Sequence, residues 1–396
     1  MLNSVLPPWP LYTNDEINAV SEVLQSGQVN YWTGKQCRDF ESEFADWSAV
    51  KHAICVANGT VALDLALYGL GVGEGDEVIV TPRTFLASAS CVVNSRATPI
   101  FADVDLNTQA LSAETIMPHI NHKTKAIIVV HLAGMPADMD PIMELAREHK
   151  LLVIEDCAQA HGAVYKGKPV GGIGDVGAWS FCQDKIMTTG GEGGMVTTNN
   201  HALWEKMWSY KDHGKSMSAI ENQASKKGFK WIHDSIGTNW RMTEMQAAIG
   251  RLQLIKMKEW TQIRNRNSEI LTSALKSYDF IRIPECNYDS IHAFYKFYAF
   301  LIPEKMPVQV TRLDIMHALN NAGVPCFEGS CPEVYLEKAF STIAYPAVRL
   351  ENAKKLGQTS MMFLVHPTIS EIDMYKIKHK IKTVLDDIIL VKTAHN

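Results

Sequence analysis

"KAIIVVHLAGMPADMDPIMELAREHKLLVIED", residues 125–156, decides the fold. It opens on an apolar run, "KAIIVVH" (125–131), and closes on another, "LLVIED" (151–156), neither with polar alternation. Between them "MDPIMELAREHK" carries a helical pattern. A buried strand, a helix and a second buried strand make the repeating unit of a parallel sheet covered on both faces. The alternation continues on either side. Further candidate strands are "AICVA" (53–57), "EVIV" (77–80), "PIFADV" (99–104), "VGAWSF" (176–181) and "GMVTT" (194–198), with helical segments such as "TVALDLALYGL" and "FLASASCVVNS" between them. The expectation is an α/β fold with a mostly parallel seven-stranded sheet covered by helices. Upstream, Thr13 and Glu16 form a capping-box pattern, Ile17, Val20 and Leu24 follow at helical spacing, and Gly27 ends the run.

Beyond residue 200 the texture changes. Residues 214–237 are polar and read as a long surface loop. "TEMQAAIGRLQLIKMKEW" (243–260) reads as a helix leading out of the large domain. The last third offers strands at "FIRI" (280–283) and "FYKFYAFLI" (294–302), and helices at 311–323, capped by Thr311, and 370–385. This predicts a large domain over residues 1–260 and a smaller α+β domain over 261–396.

Composition excludes several function classes. A net charge of −5 and a pI near 6.3 give no basic excess for nucleic acid. No apolar run reaches membrane-spanning length. The N-terminus lacks the basic start and apolar core of a signal peptide, so a cytoplasmic protein is expected. Cys37, Cys55, Cys91, Cys157, Cys182, Cys286, Cys326 and Cys331 form no C-x-x-C pair and read as reduced thiols. H-E-x-x-H and similar metal spacings are absent, so no metal is expected.

Two glycine-rich stretches invite a phosphate reading. In "SFCQDKIMTTGGEGG" (180–194) the lysine precedes its glycines, whereas a P-loop lysine follows them. "GGIGDVG" contains G-x-G-x-x-G in Gly172, Gly174 and Gly177, but it leads into a strand rather than opening a helix.

In open α/β sheets, ligands sit beyond the carboxyl ends of the strands. Gly59 and Thr60 there offer backbone N–H groups at a helix start, and Ser180 a hydroxyl, all suited to a phosphate. Asp156 suits a cationic ring nitrogen, Phe85 the face of a flat ring, and Lys185 an aldehyde. Phosphate, pyridinium, ring and aldehyde together describe pyridoxal 5′-phosphate (PLP). Taken singly, each residue has an ordinary explanation: an N-cap, a turn cap, a core aromatic, a surface amine. Their agreement at neighbouring strand ends is what points to a site.

Five blocks in order, "ANGTVALDLAL", "EVIVTPRTFLASA", "VIEDCAQAHGA", "SFCQDKIMTTGGEGGMVTTN" and "GTNWRMTEMQAAIGRLQL", resemble the DegT/StrS sugar aminotransferases, which are fold-type I PLP enzymes. The resemblance implies Lys185 as the Schiff-base lysine, Asp156 as the partner of the pyridine nitrogen, and Gln159 as the residue near the ring hydroxyl. It implies Phe85 on the ring face, and Gly59, Thr60 and Ser180 on the phosphate. Asn239 matches an asparagine that reaches the phosphate of a neighbouring subunit, implying a homodimer with shared sites. L-Glutamate is the implied donor, and a nucleotide-linked 4-keto-6-deoxyhexose the implied acceptor, with a 3-keto sugar or keto-inositol as the alternative. Trp32, Arg83, His161 and His213 are candidate substrate contacts. Lys211 and Asp212 stand where many members carry Arg and Asn. A regulatory protein that kept the fold without the chemistry is the reading from outside enzymology, and the intact set Asp156, Gln159, Ser180 and Lys185 argues against it.

Overall fold

The computed structural model describes residues 6–223, 227–343 and 346–393. Seven strands form its central sheet: β1 (His52–Val56), β2 (Glu77–Val80), β3 (Thr98–Phe101), β4 (Thr124–Val130), β5 (Leu152–Asp156), β6 (Val176–Ser180) and β7 (Gly194–Thr198). Their order is β1-β7-β6-β5-β4-β2-β3. Every pairing from β6 to β3 is parallel, while β7 runs antiparallel to both β6 and β1. All seven expected strands are present, although "PIFADV" is extended only to Phe101. The apolar runs are continuous because both sheet faces are covered: Ile127, Ile128, Val129, Val153 and Ile154 are all fully buried. Each such side chain contributes about 1.5–3 kcal/mol of burial free energy.

Glu155 is the exception within that interior. Its carboxylate lies 3.0 Å from His131 Nε2 and accepts the N–H groups of Gly171 (2.8 Å), Ile173 (2.8 Å) and Gly174 (2.7 Å). The His131 Nδ1 accepts the Ala137 N–H, so its Nε2 carries the proton that Glu155 receives. Burial pushes the Glu155 carboxyl up, but these donors outweigh it and hold it below the usual carboxylate range. The G-x-G-x-x-G stretch thus wraps a carboxylate of the protein itself.

A second core gathers around a four-stranded antiparallel sheet: β8 (Ile281–Arg282), β9 (Phe297–Leu301), β10 (Cys326–Phe327) and β11 (Ser360–Phe363), in the order β8-β9-β11-β10. The helices Arg312–Asn321 and Glu371–Thr393 pack in this part of the chain. The helix expected to end at residue 260 instead runs from Glu244 to Leu275, 32 residues, because no glycine or proline interrupts it after Gly250. Its first half packs through Ala247, Leu254 and Met257 into the main core, and its second through Ile270, Leu271 and Leu275 into the second. The expected boundary at 260/261 therefore falls inside one helix. The expected loop at 214–237 contains a short helix, Met217–Gln223; residues 224–226 lie outside the described residues. Among the described residues no helix is long and apolar enough to cross a membrane.

Candidate active site

A cavity of about 980 Å³ opens at the carboxyl ends of β5 and β6 and is closed on its other side by residues of the second core. The helix Gly59–Leu70 begins at its edge. Asn58 caps that helix, its side chain accepting the Val61 N–H at 3.0 Å. Among the described residues neither the Gly59 nor the Thr60 N–H has an acceptor, as the first turn of a helix dictates. The turn is pressed onto the sheet: a Cβ on Gly59 would meet Ser180 Cβ at 2.5 Å, and one on Gly194 would meet the Asn58 carbonyl at 2.4 Å. Two free N–H groups and the Ser180 hydroxyl thus face one space, which is what a phosphate requires.

Asp156 ends β5, with Val130 of β4 and Ala178 of β6 as its register partners. Its carboxylate accepts the Ser88 hydroxyl at 2.7 Å and the Ala158 N–H at 3.1 Å. The Ser88 hydroxyl is also 2.8 Å from that of Thr84, which holds the helix following Phe85 against the site. Gln159 is fixed by the Ala133 N–H, donated to its Oε1 at 2.8 Å. Phe85 lines the cavity with 68% of its surface exposed, which leaves its ring open to a flat group.

Lys185 enters the same cavity from a pinned turn. Its N–H donates to Cys182 O at 3.0 Å, and its carbonyl accepts the Trp9 indole N–H at 2.8 Å. The glycines after it return the chain to β7, Gly190 and Gly191 at φ of 85° and 129°. The Lys185 amine lies 5.1 Å from the centroid of Tyr295, whose hydroxyl donates to Asp184. A free amine, an aromatic face, a carboxylate acceptor and a phosphate cradle together fit PLP, with Lys185 as the group that would hold its aldehyde.

A family model described as the DegT/DnrJ/EryC1/StrS aminotransferase family matches residues 10–382. The chain belongs to this family. It is 41% identical over 286 residues to the GDP-perosamine synthase of Escherichia coli O157:H7, covering 72% of this chain and 75% of that protein. It is 39% identical over 284 residues to the UDP-N-acetyl-3-dehydro-alpha-D-glucosamine 3-aminotransferase of Acidithiobacillus ferrooxidans, covering 72% and 73%. The solved aminotransferase from Psychrobacter cryohalolentis matches at a TM-score of 0.95 and 54% identity, over 97% of this chain and 99% of that one. The protein is thus a PLP-dependent sugar aminotransferase of the DegT/StrS kind.

In this DegT/StrS aminotransferase, Gly59, Thr60, Phe85, Asp156, Gln159, Ser180 and Lys185 all line one cavity. The four candidate substrate contacts do not line it. His161 is fully buried, packed against Trp179 and Phe181 at centroid distances of 5.2 and 5.6 Å. Burial, with Lys185 and Arg264 nearby, drives its imidazolium pKa down to about 3, so it is a neutral interior ring. Arg83 is also fully buried, its guanidinium 5.5 Å from the Tyr298 ring and 5.9 Å from that of Phe300, with Nε donating to Gln109. It joins the loop carrying Phe85 to the second core. Trp32 donates its indole N–H to Asp212 at 2.6 Å, and His213, at φ 60°, is an exposed turn residue. Asn239 is exposed, in a bridge with Asp212, and does not reach the cavity of its own chain. Lys211 and Asp212 serve the interior. The Lys211 amine pairs with Glu41 at 3.0 Å, and Asp212 takes Arg241, Lys215 and Trp32.

Sequence reasoning missed Ser88, Tyr295 and Lys296, of which Tyr295 and Lys296 come from the segment leading into β9. Ser88 was visible within "FLASAS", one helical turn past Phe85; nothing in "FYKFYAFLI" separates Tyr295 or Lys296 from a strand's ordinary residues.

Proposed function

We propose that this aminotransferase moves an amino group from L-glutamate to a nucleotide-linked keto sugar, a 4-keto-6-deoxyhexose, to make an amino sugar for a surface polysaccharide or natural product. The observation that carries the reading is the Lys185 amine sharing one cavity with Asp156, Gln159, Phe85 and the free N–H groups of Gly59 and Thr60. The GDP-perosamine synthase likeness supports a nucleotide-linked product. A 3-keto sugar is the second reading, favoured by the 3-aminotransferase relative. A soluble cytoplasmic homodimer with Asn239 reaching across to the partner's site completes the proposal.

Bound PLP supplies an electrophilic aldehyde and a ring that takes up electrons when a C–H bond breaks. The chain's own residues do the rest. Gly59, Thr60 and Ser180 would bind the phosphate. Asp156 would accept from the ring N–H, and Gln159 would lie by the ring hydroxyl. Phe85 would cover the ring and exclude water from one face. The Lys185 amine would hold the aldehyde and, when free, would serve as the general base for the donor's α-proton. Keto acid leaves before the keto sugar enters, so the kinetics are ping-pong.

The test is a visible spectrum of the purified protein with PLP, before and after L-glutamate, with Lys185→Ala as control. The expected result is a visible band that glutamate bleaches and the variant lacks. Amination is then compared on a GDP-linked 4-keto-6-deoxyhexose and a UDP-linked 3-keto sugar. A protein that binds no PLP would sink the reading; turnover of the 3-keto sugar alone would shift it to the second.

A further inference from the structure

The cavity contains a second amine that the mechanism above does not use. Lys296 directly precedes β9 and lines the cavity with Lys185. Its amine lies 4.6 Å from the centroid of Tyr295, the ring that Lys185 approaches at 5.1 Å. Among the described residues the Lys296 amine has no hydrogen-bond or ion-pair partner. The nearby carboxylate of Asp184 is engaged by the Tyr295 hydroxyl. An ammonium group left unpaired in a cavity wall is costly unless an anion arrives to meet it.

Both proposed substrates are anions. L-Glutamate and its keto acid carry two carboxylates each, and a nucleotide sugar carries a diphosphate. Among the described residues lining the cavity, the cationic side chains are Lys185 and Lys296. Lys185 is committed to the aldehyde and then to proton transfer, which leaves Lys296.

We infer that Lys296 is the anion-recognition residue of this cavity, meeting an anionic oxygen of the substrate, either a donor carboxylate or a nucleotide phosphate. The inference deepens the aminotransferase reading and rests on it for the identity of the substrates. Burial draws the Lys296 ammonium down to about 8; Asp184 opposes this, and Arg264 and Lys185 add to it. The other groups facing it are uncharged near neutrality, His366 because burial pushes its pKa down to about 3 and Tyr295 because burial pushes its hydroxyl up. Anion affinity is therefore expected to fall as pH rises through about 8.

The experiment uses the PLP-loaded enzyme, wild type, Lys296→Met and Lys296→Arg. L-Glutamate is titrated against loss of the visible band, 2-oxoglutarate against its return, and GDP and UDP are titrated by calorimetry. Lys296→Met should keep the visible band, showing an intact fold and cofactor site. If a donor carboxylate is the partner, half-saturation by glutamate and 2-oxoglutarate rises at least tenfold with little change in limiting rate. If a phosphate is the partner, GDP or UDP binding weakens at least tenfold instead. In either case Lys296→Arg recovers most of the loss, and the fall in affinity above pH 8 disappears in Lys296→Met. Unchanged affinities in every titration overturn the inference, as does a lowered limiting rate with affinities intact. A wild type that binds no PLP fails the aminotransferase reading instead, while the GDP and UDP titrations still report on Lys296.

Discussion

At the scale of single residues, Glu155 shows how a buried charge can be useful to a site that it does not line. It sits beside Asp156 on β5, fully buried, and fixes the 171–174 loop through three backbone N–H groups. Glu155→Gln removes a charge that His131 and these amides are arranged to receive, which should destabilise the fold by about 3–5 kcal/mol in urea titrations at pH 7. The folded carboxyl titrates below its ordinary value of 4.5. Its contribution is therefore present above that pH and lost as pH falls through the folded value. The gap between wild type and Glu155→Gln should accordingly shrink on acidification below about pH 4.5. A gap that stays constant would show that packing, not charge, carries the effect. Gly59 makes a second case. The Cβ of Gly59→Ala would lie 2.5 Å from Ser180 Cβ, so either the helix start or Ser180 must move. Because both face the phosphate space, PLP binding should weaken about tenfold, or about 1.4 kcal/mol, measured by equilibrium titration of the visible band.

Elements were legible where their signal was continuous. β2 and β7 match their expected ranges because each is bounded by turn residues and buried throughout its apolar stretch. The Asn14–Ser26 helix starts at its expected capping box, with the Thr13 N–H donating to the Glu16 carboxylate at 2.9 Å. β10 and β11 were not legible: two and four residues long, they owe their existence to pairing with residues distant in sequence. Glu244 shows the same limit in a helix. Read locally, it is the first acidic residue after the Thr243 cap. In the fold its carboxylate accepts the N–H groups of Gln36 and, at 3.2 Å, Cys37, so it caps the start of another helix, Gln36–Trp47. Glu244→Ala should cost about 0.5–2 kcal/mol in chemical denaturation, the usual range for a lost N-cap. Glu244→Gln, which keeps an acceptor oxygen, should cost less. Equal losses would mean that the side chain acts by filling space.

For the molecule as a whole, the site was legible from one side only. Strand-end residues of the central sheet announced one half of the cavity, since topology alone brings the carboxyl ends of β5 and β6 to one edge. The opposite wall was silent, because Tyr295 and Lys296 reach it through contacts distant in sequence, Tyr295 packing into the main core and donating its N–H to the Ala133 carbonyl at 2.8 Å. The substrate candidates Arg83 and His161 lie close to the site in sequence, but both are fully buried and neither lines the cavity. Asn239 is exposed and does not line its own chain's cavity, and the proposal that it completes a partner's site makes a prediction of its own. Subunit mixing tests this. A Lys185→Ala homodimer lacks the amine proposed to hold the aldehyde, and an Asn239→Ala homodimer would lack both proposed cross-subunit contacts and should be weak at limiting PLP. In the mixed dimer, the Lys185 of the Asn239→Ala chain meets the intact Asn239 of the other. One complete site forms in each mixed dimer, so random exchange should restore activity toward about a quarter of the wild-type level. The mixture is assayed after co-refolding, at limiting PLP, against each variant alone. Activity no higher than the mean of the two variants would place Asn239 outside the partner's site.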